Sequence, residues 1–176
     1  MLLKYKNLTI RNAVAEDAEQ LAVWWNDGKV MEHAGFPNGI GQTKEEIAAS
    51  LKNDTDETYR RLIIEVEEIP AGEMNFCNKG ENIAEIGIKI CDFSLQNKGL
   101  GKILLSMLIS SLFDGMGYQK IILDTNLKNT RAQHVYEELG FKKIRVLENS
   151  WKDQLGRLQS SVDYELYPKD FINFAV

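Results

Sequence analysis

The sequence contains little cysteine and little proline, with 2 and 3 residues respectively among 176. Cys77 and Cys91 belong to no CxxC pair and no Cys/His cluster, so we interpret both as small apolar side chains of the core. Without a disulfide framework, a reducing compartment is expected. Three prolines exclude a Pro-rich hinge, and no linker or repeat is visible. We therefore expect one domain over residues 1–176.

Long hydrophobic runs and an excess of basic charge are also absent. No stretch reaches the roughly 18 apolar residues typical of a membrane-spanning helix, and the N-terminal MLLKYKNLTIRNA lacks the apolar centre of a signal peptide. A cytoplasmic protein without membrane contact is expected. The net charge of -5 argues against a nucleic-acid partner. It mildly favours a cationic partner, although an acidic surface that keeps a cytosolic protein soluble is the simpler interpretation.

Histidine is equally scarce. His33 and His134 are the only two and lie far apart, without the spacing of metal ligands. The sequence therefore predicts no metal site.

Strand-like and helix-like patterns alternate along the chain, which favours one α/β or α+β sheet covered by helices. Strands are predicted at 8–11, 61–66, 74–77, 84–91, 120–125, 141–147 and 162–167. Helices are predicted at 15–26, 43–53, 99–113 and 129–139. A turn is predicted at Pro70-Ala71-Gly72, a loop at 33–42 and a long excursion at 148–156. Strands 84–91 and 120–125 should be parallel, joined by a right-handed crossover.

The most informative segment lies between a predicted strand and a predicted helix and reads Gln96-Asn97-Lys98-Gly99-Leu100-Gly101-Lys102. A helix start offers about four unpaired N–H groups and a partial positive charge, so a glycine turn there suits a pyrophosphate. Lys98 and Lys102 add positive charge. A plain tight turn is the simpler interpretation. A P-loop and a GxGxxG dinucleotide fingerprint are excluded, because neither spacing is present.

The pattern Q-x-x-G-x-G resembles the acetyl-CoA pyrophosphate loop of the GNAT N-acetyltransferase superfamily. Residues 126–141, NLKNTRAQHVYEELGF, are similar to its signature N-x-x-A/S-x-x-L/V/F/I-Y-x-x-x-G-F and follow at the family's separation. The resemblance covers 8–167. It implies a mixed, mostly antiparallel sheet of six to seven strands flanked by about four helices, with two parallel strands splayed at a cofactor cleft. It also implies acetyl-CoA as cosubstrate, an amine as acceptor and no metal.

The same resemblance assigns a cofactor site. The loop residues would bind the pyrophosphate, and the backbone of the preceding strand would bind the pantetheine arm. Asn129 would contact the cofactor and, independently, opens a helix as an N-cap. The implied cofactor contacts are Ile88, Lys89, Ile90, Gln96, Asn97, Lys98, Gly99, Leu100, Gly101, Lys102, Asn129, Ala132 and Tyr136.

Two catalytic roles are implied as well. Tyr136 matches the family's proposed general acid, and a phenol with a reference pKa of ~10 keeps its proton at neutral pH. The alternative is a core aromatic. Glu85 stands eleven residues before Gln96, the offset of the catalytic glutamate in the histone-acetyltransferase branch, so it is a candidate base. The alternative is a strand-edge charge facing water.

The segment from Trp24 to His33 is similar to the acceptor side of ribosomal-protein N-terminal acetyltransferases and aminoglycoside 6'-N-acetyltransferases. Adjacent tryptophans on a helix point about 100° apart, so we expect one in the core and Trp25 near the acceptor. Asp27, Glu32 and Glu73 are candidates for holding a cationic acceptor, although each also fits a solvated surface acid. Trp151 fits either the acceptor site or a dimer contact.

The acceptor itself is left open. A peptide or protein N-terminus, an aminoglycoside and a polyamine all fit the pattern, and a homodimer is possible. Two other classes of function stay open: a non-catalytic acyl-CoA sensor and a protein–protein scaffold.

Overall fold

All the strands of the protein join one sheet in the computed structural model, which describes residues 1–176. The strands are β1 (Leu2–Tyr5), β2 (Leu8–Asn12), β3 (Tyr59–Val66), β4 (Ile69–Asn78), β5 (Ile83–Ile90), β6 (Lys120–Asn126), β7 (Lys142–Lys152) and β8 (Leu158–Leu166). Their order across the sheet is β1-β2-β3-β4-β5-β6-β8-β7. Every neighbouring pair is antiparallel except β5 and β6, which are parallel as predicted.

Five helices accompany the sheet, one more than predicted. They are α1 (Ala18–Trp25), α2 (Gly28–Met31), α3 (Lys44–Leu51), α4 (Leu100–Ser110) and α5 (Thr130–Glu138). The start of α3 is a capping box, in which Thr43 Oγ1 accepts from Glu46 N at 3.2 Å and Glu46 Oε2 accepts from Thr43 N at 2.8 Å. None of the five helices is long and apolar enough to span a membrane.

The two faces of the sheet are covered differently. Helices α4 and α5 bury one face in a cluster of 24 residues that includes Leu108, Ile121 and Tyr164. Helices α1 and α3 bury a smaller cluster of 8 residues on the other face, around Leu21 and Ile47. The smaller cluster contains no residue of β6, β7 or β8. The second face is therefore open beside β5, and polar side chains line it there.

The hairpin between β3 and β4 turns at a different place from the one predicted. Its turn lies at Glu67 and Glu68, which both have positive φ (53° and 65°), whereas Pro70-Ala71-Gly72 belongs to β4. Pro70 stands beside a register shift in β3, where a missing N–H is tolerated. Gly72 permits close packing instead, because a Cβ there would lie 2.2 Å from Lys89 O.

The predicted excursion at 148–156 is wrong in its first half. β7 continues to Lys152, and a tight turn then leads into β8, with Asp153 N bonded to Arg157 O at 3.0 Å. Residues 142–150 are exposed on both faces of this edge strand. Residues 141–147 were predicted as a strand, whereas residues 148–152 carry no apolar alternation that would mark the rest of β7 in the sequence.

Candidate active site

A cleft opens where β5 and β6 separate. The two strands share three residue pairs, the last of which joins Glu85 to Ile122. Beyond this pair β5 keeps only β4 as a partner and β6 keeps only β8. The resulting cleft has a volume of about 1050 Å³. The splayed parallel strands that the sequence predicted are therefore present.

Most of the predicted cofactor residues line this cleft. They are Ile88, Lys89, Ile90, Gln96, Asn97, Gly99, Leu100, Gly101, Lys102, Asn129, Ala132 and Tyr136. Lys98 does not line it and is exposed. The side chain of Gln96 is held by a hydrogen bond within the protein, because its Nε2 donates to Ile90 O at 2.9 Å.

The loop before α4 has the shape of an anion cradle. Gly99 lies at the helix N-cap with a φ of 76°, a left-handed conformation that glycine adopts readily. A Cβ on Gly101 would meet only Ile90 Cδ1, at 4.0 Å, and a Cβ on Gly99 would meet nothing. The protein's own packing thus leaves open space against the first turn of an eleven-residue helix. This space and the free N–H groups fit a pyrophosphate.

The cations near this cradle differ from those predicted. Lys102 Nζ donates to Glu138 Oε1 at 3.2 Å, so its charge is largely balanced. Arg131, which the sequence analysis missed, lines the cleft and donates from Nη1 to Gln96 Oε1 at 2.7 Å. Its only sequence signal is its place near the start of the predicted helix after Asn129.

Asn129 caps α5 as predicted. Its Oδ1 accepts from Ala132 N at 3.2 Å, and its Nδ2 donates to Thr125 Oγ1 at 3.4 Å. Because Asn129 also lines the cleft, the cap places the start of α5 at the wall of the cleft.

Tyr136 combines the two interpretations of the sequence. Its ring packs against Phe141 and Tyr164, with centroids 5.9 and 5.7 Å away, and the residue is 6% exposed. No protein group bonds its hydroxyl, yet no fully buried polar side-chain atom lacks a partner, so the hydroxyl reaches the cleft. Burial, with a smaller effect of the Asp124 charge, raises the pKa of Tyr136 to about 12. The phenol therefore keeps its proton at neutral pH and has one to donate.

The two carboxylates nearest the splay lie in different surroundings. Glu85 does not line the cleft, and its Oε2 lies 3.3 Å from Lys79 Nζ. Asp124, on β6, does line the cleft and is accessible to solvent there. Shielding by the cleft walls, and then the charges of Glu85 and Asp163, raises the pKa of Asp124. The only sequence feature that marks Asp124 is its place directly after the apolar Leu123 in a strand of alternating pattern. This places the two side chains on opposite faces of the sheet.

Only some of the residues predicted to bind the acceptor line the cleft. Trp24 is in the core, whereas Trp25 Nε1 donates to Glu73 Oε2 at 2.9 Å. Glu73 is 7% exposed, lines the cleft and accepts from Lys89 Nζ at 3.0 Å. Trp25 itself does not line the cleft and is connected to it only through this bond to Glu73.

The other two acids lie on either side of helix α2. Glu32 is exposed and lines the cleft. Asp27 does not line it and caps α2, accepting from Lys29 N at 2.8 Å.

The β7–β8 hairpin fixes the loop after α2. Gln154 donates from its backbone N to Gly35 O at 2.8 Å and from Nε2 to Gly39 O at 2.9 Å, and its Oε1 accepts from Asn38 N at 2.9 Å. Trp151 lines the cleft and lies so close to Gly35 that a Cβ there would be 2.5 Å from the indole. The hairpin therefore shapes this end of the cleft. No group of three or more His, Cys, Asp and Glu side chains is arranged to hold a metal ion.

Comparison with known proteins agrees with this geometry. Spermidine N-acetyltransferase from Vibrio cholerae, solved in complex with CoA and spermine, is 23% identical, with a TM-score of 0.84 over 96% of this chain and 99% of that one. RimL, a ribosomal L7/L12 alpha-N-protein acetyltransferase in complex with CoA, is 15% identical, with a TM-score of 0.83 over 95% and 98%. A GNAT-family acetyltransferase from Bacillus anthracis is 22% identical, with a TM-score of 0.79 over 96% and 99%. These identities establish a common fold.

The family is shown by a match over most of the chain. Residues 7–142 match the model of the Acetyltransferase (GNAT) domain, a range that includes both the loop before α4 and the signature that ends at Phe141. The protein therefore belongs to the GNAT family and is an acetyl-CoA-dependent N-acetyltransferase.

Proposed function

We propose that the protein transfers the acetyl group directly to a primary amine while both substrates are bound. One observation carries this proposal: a single cleft is lined by the anion cradle, by Tyr136 and by the acids Glu32 and Glu73. No cysteine offers a covalent route. Burial raises the pKa of the Cys91 thiol to about 12, and neither cysteine lines the cleft.

The residues of the cleft divide the chemistry between them. Acetyl-CoA supplies the acetyl thioester. Backbone N–H groups of β5, which have no partner in β6 beyond Glu85, stabilise negative charge on the carbonyl oxygen. The amine nitrogen forms its bond to the carbonyl carbon, and the carbon–sulfur bond breaks. Tyr136 gives its proton to the departing sulfur, and a carboxylate or water takes one from the amine.

Asp124 is the better-placed carboxylate for that proton. It lines the cleft and forms no ion pair, whereas Glu85 lies outside the cleft beside Lys79. A carboxylate with a raised pKa is a stronger base than an ordinary aspartate. We therefore place Asp124 ahead of Glu85, the base predicted from the sequence.

A cationic amine suits the acceptor end. Glu32 is exposed and Asp124 is unpaired, so both carry negative charge into the cleft, whereas the charge of Glu73 is balanced by Lys89. Spermine in the Vibrio cholerae structure and the protein N-terminus acted on by RimL are both amines. A polyamine or a peptide N-terminus is therefore the acceptor class we propose. A homodimer and a cytoplasmic location stay predictions.

The experiment combines thermal unfolding with and without acetyl-CoA and CoA release against spermidine, an aminoglycoside and N-terminal peptides. Binding to the folded state raises the melting temperature, and turnover on one amine names the acceptor. Tyr136→Phe and Asp124→Asn should each lower kcat by about 10²- to 10⁴-fold while acetyl-CoA affinity is nearly kept.

Glu85→Gln is the matched carboxylate control and should keep most of the activity. Full activity of Tyr136→Phe would overturn the role of the tyrosine. Acetyl-CoA binding without turnover on any amine would identify a sensor instead of an enzyme.

A further inference from the structure

Arg131 is the arginine of the cleft, and no carboxylate balances its charge. Four other arginines, Arg11, Arg60, Arg61 and Arg145, form ion pairs. Arg131 forms none, and its partners are two neutral amide oxygens. The second of these is Asn97 Oδ1, at 3.5 Å from Nη1. A guanidinium with uncompensated charge beside an anion cradle is electrostatically suited to a phosphate.

Arg131 connects the two sides of the gap between β5 and β6. The residue belongs to the first turn of α5, which follows β6, whereas Gln96 and Asn97 belong to the loop that follows β5. Gln96 in turn bonds to Ile90 O at the end of β5. The chain of hydrogen bonds therefore links the two walls of the cleft at the level of the cradle.

The donors of Arg131 that make no bond to the protein are arranged to bind an anion. Both of its hydrogen bonds come from Nη1, so Nε and Nη2 make no bond to the protein. These two atoms form one edge of the planar guanidinium, the edge that donates two parallel hydrogen bonds to a phosphate or carboxylate. Arg131 can therefore bind an anion without releasing Gln96.

Other cations near the cradle are less suitable. Lys98 lies outside the cleft, and Lys102 is bonded to Glu138, with its Nζ 4.6 Å from the Phe174 ring centroid. Lys128 lines the cleft and is exposed, as Arg131 is, but a lysine supplies a mobile point charge and no planar pair of donors.

We infer that Arg131 binds the diphosphate of acetyl-CoA through its Nε–Nη2 edge while Nη1 keeps its bond to Gln96. This inference rests on the cradle before α4 being the diphosphate site. Arg131 then selects the diphosphate-bearing cofactor over a simple acyl-pantetheine and holds the two cleft walls together around it.

The test measures affinities by calorimetry for CoA and 3'-dephospho-CoA, and kcat/KM with acetyl-CoA and acetyl-pantetheine, which lacks the diphosphate. Arg131→Ala should weaken CoA and 3'-dephospho-CoA equally, by about 10- to 100-fold, the usual loss for hydrogen bonds to a charged group. It should leave kcat/KM for acetyl-pantetheine nearly unchanged. Arg131→Lys should recover only part of the affinity, because lysine lacks the two-donor edge.

The matched control is Arg157→Ala, which removes an arginine of the β7–β8 turn that lies outside the cleft; it should change neither affinity. A loss confined to CoA would assign Arg131 to the 3'-phosphate and overturn the inference. Unchanged affinities for both cofactors in Arg131→Ala would also overturn it.

A purely structural role for Arg131 makes a different prediction. If the arginine only positions the loop through Gln96, Gln96→Ala should reproduce its effect, and acetyl-pantetheine turnover should fall as well. Failure of wild-type protein to bind CoA would instead refute the cofactor assignment itself, so the two failures are distinguishable.

Discussion

Asp124 on β6 and Asp163 on β8 are directly opposite each other in the antiparallel ladder, so their side chains share one face of the sheet. Arg145 Nε donates to Asp163 Oδ2 at 2.6 Å, whereas Asp124 has no such partner. The cleft walls shield Asp124, and the neighbouring negative charges of Glu85 and Asp163 add to the effect, so its pKa is raised. The sheet therefore carries an uncompensated carboxylate at its splay.

Asp124→Asn should raise the melting temperature at pH 7. A pKa raised in the folded state means that ionisation costs more there than in the unfolded chain, so the charge destabilises the fold at neutral pH. The difference between variant and wild type should shrink as the pH falls toward the ordinary aspartate value of 3.8. Melting curves from pH 4 to pH 8 measure it.

Asp153→Asn is the control with the opposite sign. The backbone N–H of Arg157 is the main cause that lowers the pKa of Asp153, so its charge stabilises the fold above the unfolded pKa. This variant should melt lower at pH 7, by a margin that is kept down to the ordinary value of 3.8 and lost only as the pH falls below it, so its melting curves extend below pH 4. A lower melting temperature for Asp124→Asn at pH 7 would contradict our account of the cleft.

Gly101→Ala should separate folding from cofactor binding. The new methyl group meets only Ile90 Cδ1 at 4.0 Å, and alanine is favoured over glycine in a helix by up to about 1 kcal/mol. Stability should therefore be kept or raised, while the methyl group enters the cradle and weakens CoA binding. Gly115→Ala, with its nearest contact at 3.8 Å and no place in the cleft, should leave CoA affinity unchanged. Equal CoA affinity in both variants would count against the cradle.

Gly72→Ala should damage both stability and cofactor binding. Its Cβ would lie 2.2 Å from Lys89 O, so β4 and β5 must move apart. Overpacking of this kind costs about 1–3 kcal/mol, and the displaced strand is the one that lines the cleft. Urea unfolding and CoA calorimetry measure the two effects. Wild-type CoA affinity in this variant would show that the spacing of β4 and β5 does not control the site.

Gln154→Ala should affect the acceptor and spare the cofactor. The variant loses two side-chain hydrogen bonds to the loop at Asn38 and Gly39, each worth about 1 kcal/mol. The loosened loop should raise KM for the amine, with unchanged CoA affinity. Gln119→Ala removes a side-chain bond to Gly117 O outside the cleft and should leave both constants unchanged. An effect of Gln154→Ala on CoA alone would refute the division of the cleft into two ends.

The elements that the sequence predicted well are those with one buried face. Helix α4 and strand β5 carry strong apolar periodicity, and residues of the two motifs line the cleft. Strand β1 and the second half of β7 lie at the two edges of the sheet and bury little. Their side chains therefore carry no periodic signal, and only pairing with a neighbour makes them strands.

The candidate site residues that the sequence patterns missed, Asp124 and Arg131, are recognised by their surroundings in the folded chain. Asp124 is distinguished by what it lacks, an ion pair, and this is visible only once Arg145 and Lys79 are seen bonded to its neighbours. Arg131 is distinguished by contacts across the gap to residues 34 and 35 positions earlier in the chain. Local sequence patterns contain neither kind of information. The cap at Asn129, in contrast, involves only residues 129–132, so the sequence predicted it.

The three residue pairs that join β5 to β6 compare with seven between β4 and β5 and six between β6 and β8. Mechanically, the sheet consists of two panels, strands β1 to β5 and strands β6 to β8, joined at the short seam between β5 and β6. An acetyl-CoA molecule bound between β5 and β6 would stand where further residue pairs of the ladder would be, so the cosubstrate would serve as a temporary strand. We expect the loaded enzyme to be stiffer across this seam than the free one, with slower amide hydrogen exchange in both panels.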